Sequence, residues 1–318
     1  MTTEPTRTSP RGQELYAPRL PGHRRTWTVA AIVLVVVFMV LGQLLAVLPA
    51  VALGYISMEG QGPEGWPMMA YILAVAFGLT AVMTLLWVRF FERRSLATIG
   101  FNGRALPRFV RGYLVGLAFL AATVGIIWAA GGYRVEAGGA FMAASVPAAL
   151  LPIAVLFIGF IIQGSTEEIV FRGWLMQLIA SRHGLVIAMV ANAVLFGLVH
   201  ASNIEPSKEL WAGVANIVLF GVFIGLYAMR EGSIWGVCGW HAAWNWLLGL
   251  GFGLEVSGQV IDTPPLITDL ATRAEAAWWL TGGDFGPEAS VVTTAVLLAG
   301  CLFLGLRGGF ARHPVLTE

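Results

Sequence analysis

The sequence predicts an all-α fold, a polytopic membrane helical bundle of about eight transmembrane helices with both termini cytosolic. Three observations predict it. Of 318 residues, 57% are hydrophobic and 12% charged, with a mean hydropathy of +0.77, too little polar surface to cover a water-soluble domain. Apolar stretches near the roughly 20 residues that cross a bilayer recur along the chain. Lys and Arg collect in alternate connections, the pattern of cytosolic loops.

Residues 1–27, rich in Pro, Arg, Thr and Gly and without periodicity, read as a disordered cytosolic tail. The first span, at about 28–55, is too long for a signal-peptide core and lacks an obvious small-residue cleavage site, so it is expected to be retained. Further spans are expected at about 67–88, 112–130, 146–166, 184–200, 210–229, 234–251 and 290–306. Residues 28–310 then make one membrane domain, and 311–318 a second cytosolic tail. The N-terminal tail, the second-to-third connection from Arg89 to Arg111, Arg172 with Arg182, Arg230, and Arg307 with Arg312 all fall on one side. The opposite connections carry mostly acids, among them Glu64, Glu205, Glu255 and Asp284. The outer loop at about 252–289 is the long one, and Trp278 with Trp279 suggests a stretch lying at the headgroup level.

A net charge of +1 without a basic stripe argues against nucleic acid as a partner and leaves membrane lipid as the surroundings. Cys238 and Cys301 stand far apart in apolar stretches and make neither a disulfide framework nor a CxxC pair. Cys238 precedes His241 by three residues, a spacing that would suit a shared metal. A thiol in a helix interface more often packs as a small hydrophobe.

Three polar constellations interrupt the apolar spans. The first is Gly164-Ser165-Thr166-Glu167-Glu168-Ile169-Val170-Phe171-Arg172, the second Phe196-Gly197-Leu198-Val199-His200, the third His241-Ala242-Ala243-Trp244-Asn245. Charges are costly in hydrocarbon and persist where they are paired, face a wet cavity or do chemistry. If the fourth helix runs on to about Ala180 and turns at Ser181-Arg182-His183-Gly184, Glu167 lies about 16 residues before the turn and His200 about 17 after it. At 1.5 Å per residue both are roughly 25 Å from the turn, at one depth. Glu168 and Arg172, four apart with the acid first, suit an ion pair on one face. Glu167, about 100° round the helix, is left to accept a proton, with Gln163 one turn before it on the same face. Asn192, Phe196 and His200 share a face of the fifth helix, and His241 and Asn245 one of the seventh. Each constellation alone reads as readily as a charged helix end, a cap or interhelical hydrogen-bond glue. Together they make the parts of a hydrolytic site.

In that site Glu167 deprotonates a water, His200 orients it, and His241 with Asn245 donate to the developing oxyanion. A zinc route with Glu167, His200 and His241 as ligands is the alternative, although no HExxH helix calls for it.

The motifs Glu167-Glu168-x-x-x-Arg172, Phe196-x-x-x-His200 and His241-x-x-x-Asn245 resemble those of the CAAX prenyl protease and bacteriocin-processing family of intramembrane endopeptidases, called CPBP or Abi proteins. Arg94 to Phe101 is similar to a lead-in segment of that family, so the resemblance covers about residues 90–250. It implies an intramembrane endopeptidase with Glu167 as base, Glu168 and Arg172 in support, His200 on the water, and His241 and Asn245 on the oxyanion. It favours a metal-free glutamate mechanism over zinc, a peptide or membrane-protein substrate that in some members is lipidated, and the bacterial plasma membrane as location. The competing expectation is a non-enzymatic membrane scaffold or bacteriocin-immunity type protein that keeps the family fold. A proton-coupled transporter would need repeated halves and broken helices, and the sequence has neither.

Overall fold

The computed structural model describes residues 23–57 and 62–307. The expected tails lie outside the described residues, apart from residues 23–27 of the first. Helices occupy all eight apolar stretches: α1 Thr28–Ala52, α2 Trp66–Phe91, α3 Ala105–Ala129, α4 Val146–His183, α5 Leu185–Leu198, α6 Lys208–Glu231, α7 Trp235–Trp246 with a π-helical continuation Leu247–Gly251, and α8 Val291–Arg307. Five of them, α1 to α4 and α6, are long and apolar enough to cross a membrane, while α5 and α8 are apolar but shorter. By length and composition these helices mark an integral membrane protein.

The helices form because their sequences leave the backbone no better partner in hydrocarbon than itself. In α1 the buried positions Ala31, Val35, Phe38, Gly42, Ala46 and Ala50 fall on one stripe, while Val29, Leu44 and Leu48 stay exposed. A helix apolar on both faces suits one side on protein and the other on lipid. α4 is the opposite case. From Thr166 to Ile179 it is buried on every side, and its middle, Ile169–Leu175, winds as a π-helix directly after the two glutamates. Such wide turns re-aim side chains and gather at functional sites. α4 runs three residues past the expected Ala180 and stops at Gly184, whose φ of +82° only glycine adopts without strain.

Two close approaches set α7, and with it His241, against the other helices. A Cβ on Gly112 would strike the Gly236 carbonyl and one on Gly116 the Trp240 carbonyl, so α3 and α7 meet backbone to backbone. On the other side of α7, Gly164 of α4 lies against the backbone of Ala242.

The long loop at about 252–289 departs from expectation. Thr268–Thr272 (β2) pairs antiparallel with Tyr133–Gly138 (β1), with a bulge between Val135 and Ala137. Trp278 and Trp279 start a single helical turn, Trp278–Thr281. The pairing joins two loops more than a hundred residues apart, which no local period in the sequence announces.

Candidate active site

Glu167 and Glu168 close the first α-helical part of α4 and face different neighbours, because successive helical residues point about 100° apart. Glu168 is fully buried. Its Oε1 accepts from Arg172 at 3.1 Å and from Nδ1 of His241 at 2.8 Å. A carboxylate only accepts, so Nδ1 carries the proton in this contact. The Arg172 guanidinium is also fully buried, 4.2 Å from the centre of the Phe196 ring and 5.6 Å from that of Phe220, a cation–π arrangement that stabilises a charge removed from water.

Glu167 is held differently. Its Oε1 accepts from Gln163 Nε2 at 2.7 Å, and Gln163 Oε1 accepts from Asn245 Nδ2 at 3.0 Å, so one amide links α4 to α7. Its Oε2 is buried without a hydrogen-bond partner and lies 3.6 Å from His241 Nε2. His241 therefore stands between the two acids, one nitrogen toward each.

His200 ends α5. Its Nδ1 is 2.8 Å from the Phe196 carbonyl, which can only accept, so Nε2 is left as the basic nitrogen. The Phe196 ring lies 4.9 Å from that of His200 and 6.2 Å from that of His241. The Phe196 ring thus contacts both imidazoles. Glu167, His200, His241 and Asn245 all line one cavity of about 320 Å³ that continues past Phe220 and Trp244 toward Val256, Ser257 and Glu288. Glu168 and Arg172 do not line it; they sit behind its wall.

Sequence spacing put Gln163 on the Glu167 face but could not show its bond to Asn245, which depends on how α4 and α7 pack. Glu288, on the outer-loop side of the cavity, had no signal at all. Its carboxylate accepts from Trp244 Nε1 at 3.1 Å and from the Ser257 backbone and hydroxyl at 2.5 and 2.7 Å, and its backbone carbonyl from Asn216 at 2.8 Å. It therefore knots α6, α7 and the outer loop together at the mouth. Asn192, on the same α5 face as His200, is buried with neither end of its amide bonded.

The alternative zinc set fits the donors poorly. Among the described residues no group of three His, Cys, Asp or Glu side chains converges as a metal site, although His241, with Nδ1 donating to Glu168, turns its Nε2 toward Glu167 as a metal-binding imidazole would. Cys238 is fully buried in α7.

The family model described as type II CAAX prenyl endopeptidase, Rce1-like, matches residues 149–247. This stretch is Rce1-like. It runs from α4 through α7 and contains all seven named residues of the three motifs. Uncharacterized protein YyaK of Bacillus subtilis (strain 168) is 33% identical over 120 residues, which cover 37% of this chain and 38% of that protein. The match thus spans well under half of the curated relative. No solved structure matches the chain. The Rce1-like region supplies the polar side of the cavity, whereas α1, α2, α8 and the loop after α7 complete its wall from outside the match, and β1 and β2 also lie beyond it.

Proposed function

We propose that this chain is a CAAX-protease-like intramembrane endopeptidase of a bacterial plasma membrane, with eight spans and cytosolic termini, in which Glu167 activates water without a metal. The observation that carries this reading is the buried Oε2 of Glu167, unpartnered and facing the second nitrogen of His241 in a cavity that also holds His200. A buried polar atom left unbonded is costly, and in a membrane bundle such a group is retained for function.

Water placed between Glu167 and the basic nitrogen of His200 gives its proton to Oε2 as its oxygen bonds to the peptide carbonyl carbon. The carbonyl oxygen becomes an oxyanion, met by the second N–H of Asn245 and by His241 when its Nε2 is protonated. As the C–N bond breaks, Glu167 returns the proton to the leaving amine. Glu168 and Arg172 hold the His241 ring and balance its charge from behind. The substrate is a peptide or membrane-protein segment, lipidated or not, that enters the apolar cavity.

The test is cleavage of a membrane-peptide library by purified protein in detergent, comparing the native chain with Glu167→Gln, each with and without a strong chelator. Cleavage that is lost in the variant and survives the chelator supports the reading. Loss with chelator and recovery with zinc would replace it by a metal route through the same residues.

A further inference from the structure

A hydrolase inside a bilayer has to keep its water while a peptide fills the cavity and displaces solvent. Glu167 lines a second space besides the main cavity, a crevice of about 30 Å³ between α1, α2 and α4. It is bounded by Gln43, Thr80, Thr166 and Glu167, with Met39 and Phe77 among its apolar walls. The volume decides what it can take. It exceeds the roughly 10–15 Å³ that one water needs and is far too small for a peptide side chain.

The polar lining also meets the need of a buried water for two to four partners. The Thr80 hydroxyl donates to a carbonyl of its own helix, that of Ala76 at 3.0 Å, and the Thr166 hydroxyl to that of Ile162 at 2.8 Å. Each keeps lone pairs that can accept. Gln43 is an amide on the exposed face of an otherwise apolar helix, a placement that hydrocarbon penalises and that a water beneath it relieves. The wall is rigid here, because a Cβ on Gly42 would collide with Thr80 and α1 packs directly on α2.

We propose that this crevice, which adjoins the peptide cavity across Met39, Phe77, Glu167 and Phe171, is a water-holding site that feeds Glu167, with Gln43, Thr80 and Thr166 as positioning residues. The catalytic use of this water rests on the hydrolase reading above; the site itself does not.

The test uses the full-length protein in detergent with 13C-methyl threonine, reading magnetisation transfer from water to threonine methyls. Transfer is expected at Thr80 and Thr166 and not at Thr84, which is fully buried one turn further along α2 and does not line the crevice. In Gln43→Leu and, separately, Thr80→Val, the Thr166 signal is expected to fall, and kcat for any cleaved peptide to drop about fivefold with KM unchanged, the scale of one lost hydrogen bond. Absence of transfer at both Thr80 and Thr166 overturns the water site, whatever the activity. Transfer with unaltered kcat in both variants overturns its role in turnover. Transfer in a protein that cleaves no peptide removes the hydrolase reading and leaves the water site standing.

Discussion

Two buried glutamate–arginine pairs lie along α4 and are built in opposite ways. Toward its C-terminal end, Arg94 donates to Glu92 Oε2 at 2.8 Å, while Glu92 Oε1 accepts from Thr26 at 2.6 Å and Trp174 at 3.3 Å. Arg94 spends its remaining donors on Thr98 and on Gln177 at 3.2 Å, and Gln177 donates in turn to the Gly173 carbonyl. Both oxygens of Glu92 are satisfied. One turn above Arg172, in contrast, Glu167 and Glu168 each keep a buried oxygen without a hydrogen bond. A completed polar network fixes structure, and an incomplete one in the same low dielectric stores the capacity to take a proton or bind a substrate group. The first pair clamps the α2–α3 loop to α4, and the second is where chemistry is expected.

The comparison would break first at Glu92. Glu92→Ala strands the Arg94 cation and the Trp174 and Thr26 donors in the interior, and removing one partner of a buried pair costs about 3–5 kcal/mol. Thermal unfolding in detergent should fall by about 10 °C, with residual folded protein still able to cleave. Glu167→Gln should do the reverse. Unfolding should move by less than about 1 kcal/mol, since Oε2 has no hydrogen bond to lose, while cleavage falls about 10³-fold. Equal stability losses in the two variants would show that both glutamates are structural.

Glu168→Gln sharpens the contrast, since Glu168 belongs to both kinds. It anchors His241 and Arg172 yet keeps one unbonded oxygen. An intermediate result is expected, a stability loss of about 2 kcal/mol together with a cleavage loss of about 10²-fold. Activity should not return when the variant is stabilised by cooling, because the neutral amide no longer supplies the charge that holds His241 and balances Arg172.

Much of this contrast was legible in the sequence. Helix periodicity separates Glu167 from Glu168 and pairs the latter with Arg172, and the hairpin turn at Gly184 sends the chain back so that Glu167 and His200 line one cavity. Both follow from local geometry, which the chain encodes residue by residue. The Glu92–Arg94 clamp was not legible. Arg93 and Arg94 read alike as cytosolic loop charges, and only the fold buries one of them, by bringing Gln177 and Trp174 from a helix some eighty residues away. The π-helical middle of α4, the β1–β2 pairing and the Glu288 knot share that origin. Each depends on tertiary neighbours and leaves no period or spacing behind.

A third carboxylate, neither clamped nor in the site, gives the smallest effect and a control for both. Glu255, on the outer loop, has its pKa raised above the ordinary 4.5, first by burial and then by the nearby Asp284. A raised carboxylate pKa favours the protonated native state, so its contribution is present below the unfolded value and is lost as pH rises through the folded one. Glu255→Gln should therefore leave thermal stability unchanged near pH 4 and raise it by about 1–2 °C at pH 7, without altering cleavage. A gain of the same size at both pH values would point to packing at the mouth in place of charge. A loss at pH 7 would mean that the ionised Glu255 is held by donors as Glu92 is, and would move it to the structural side of the comparison.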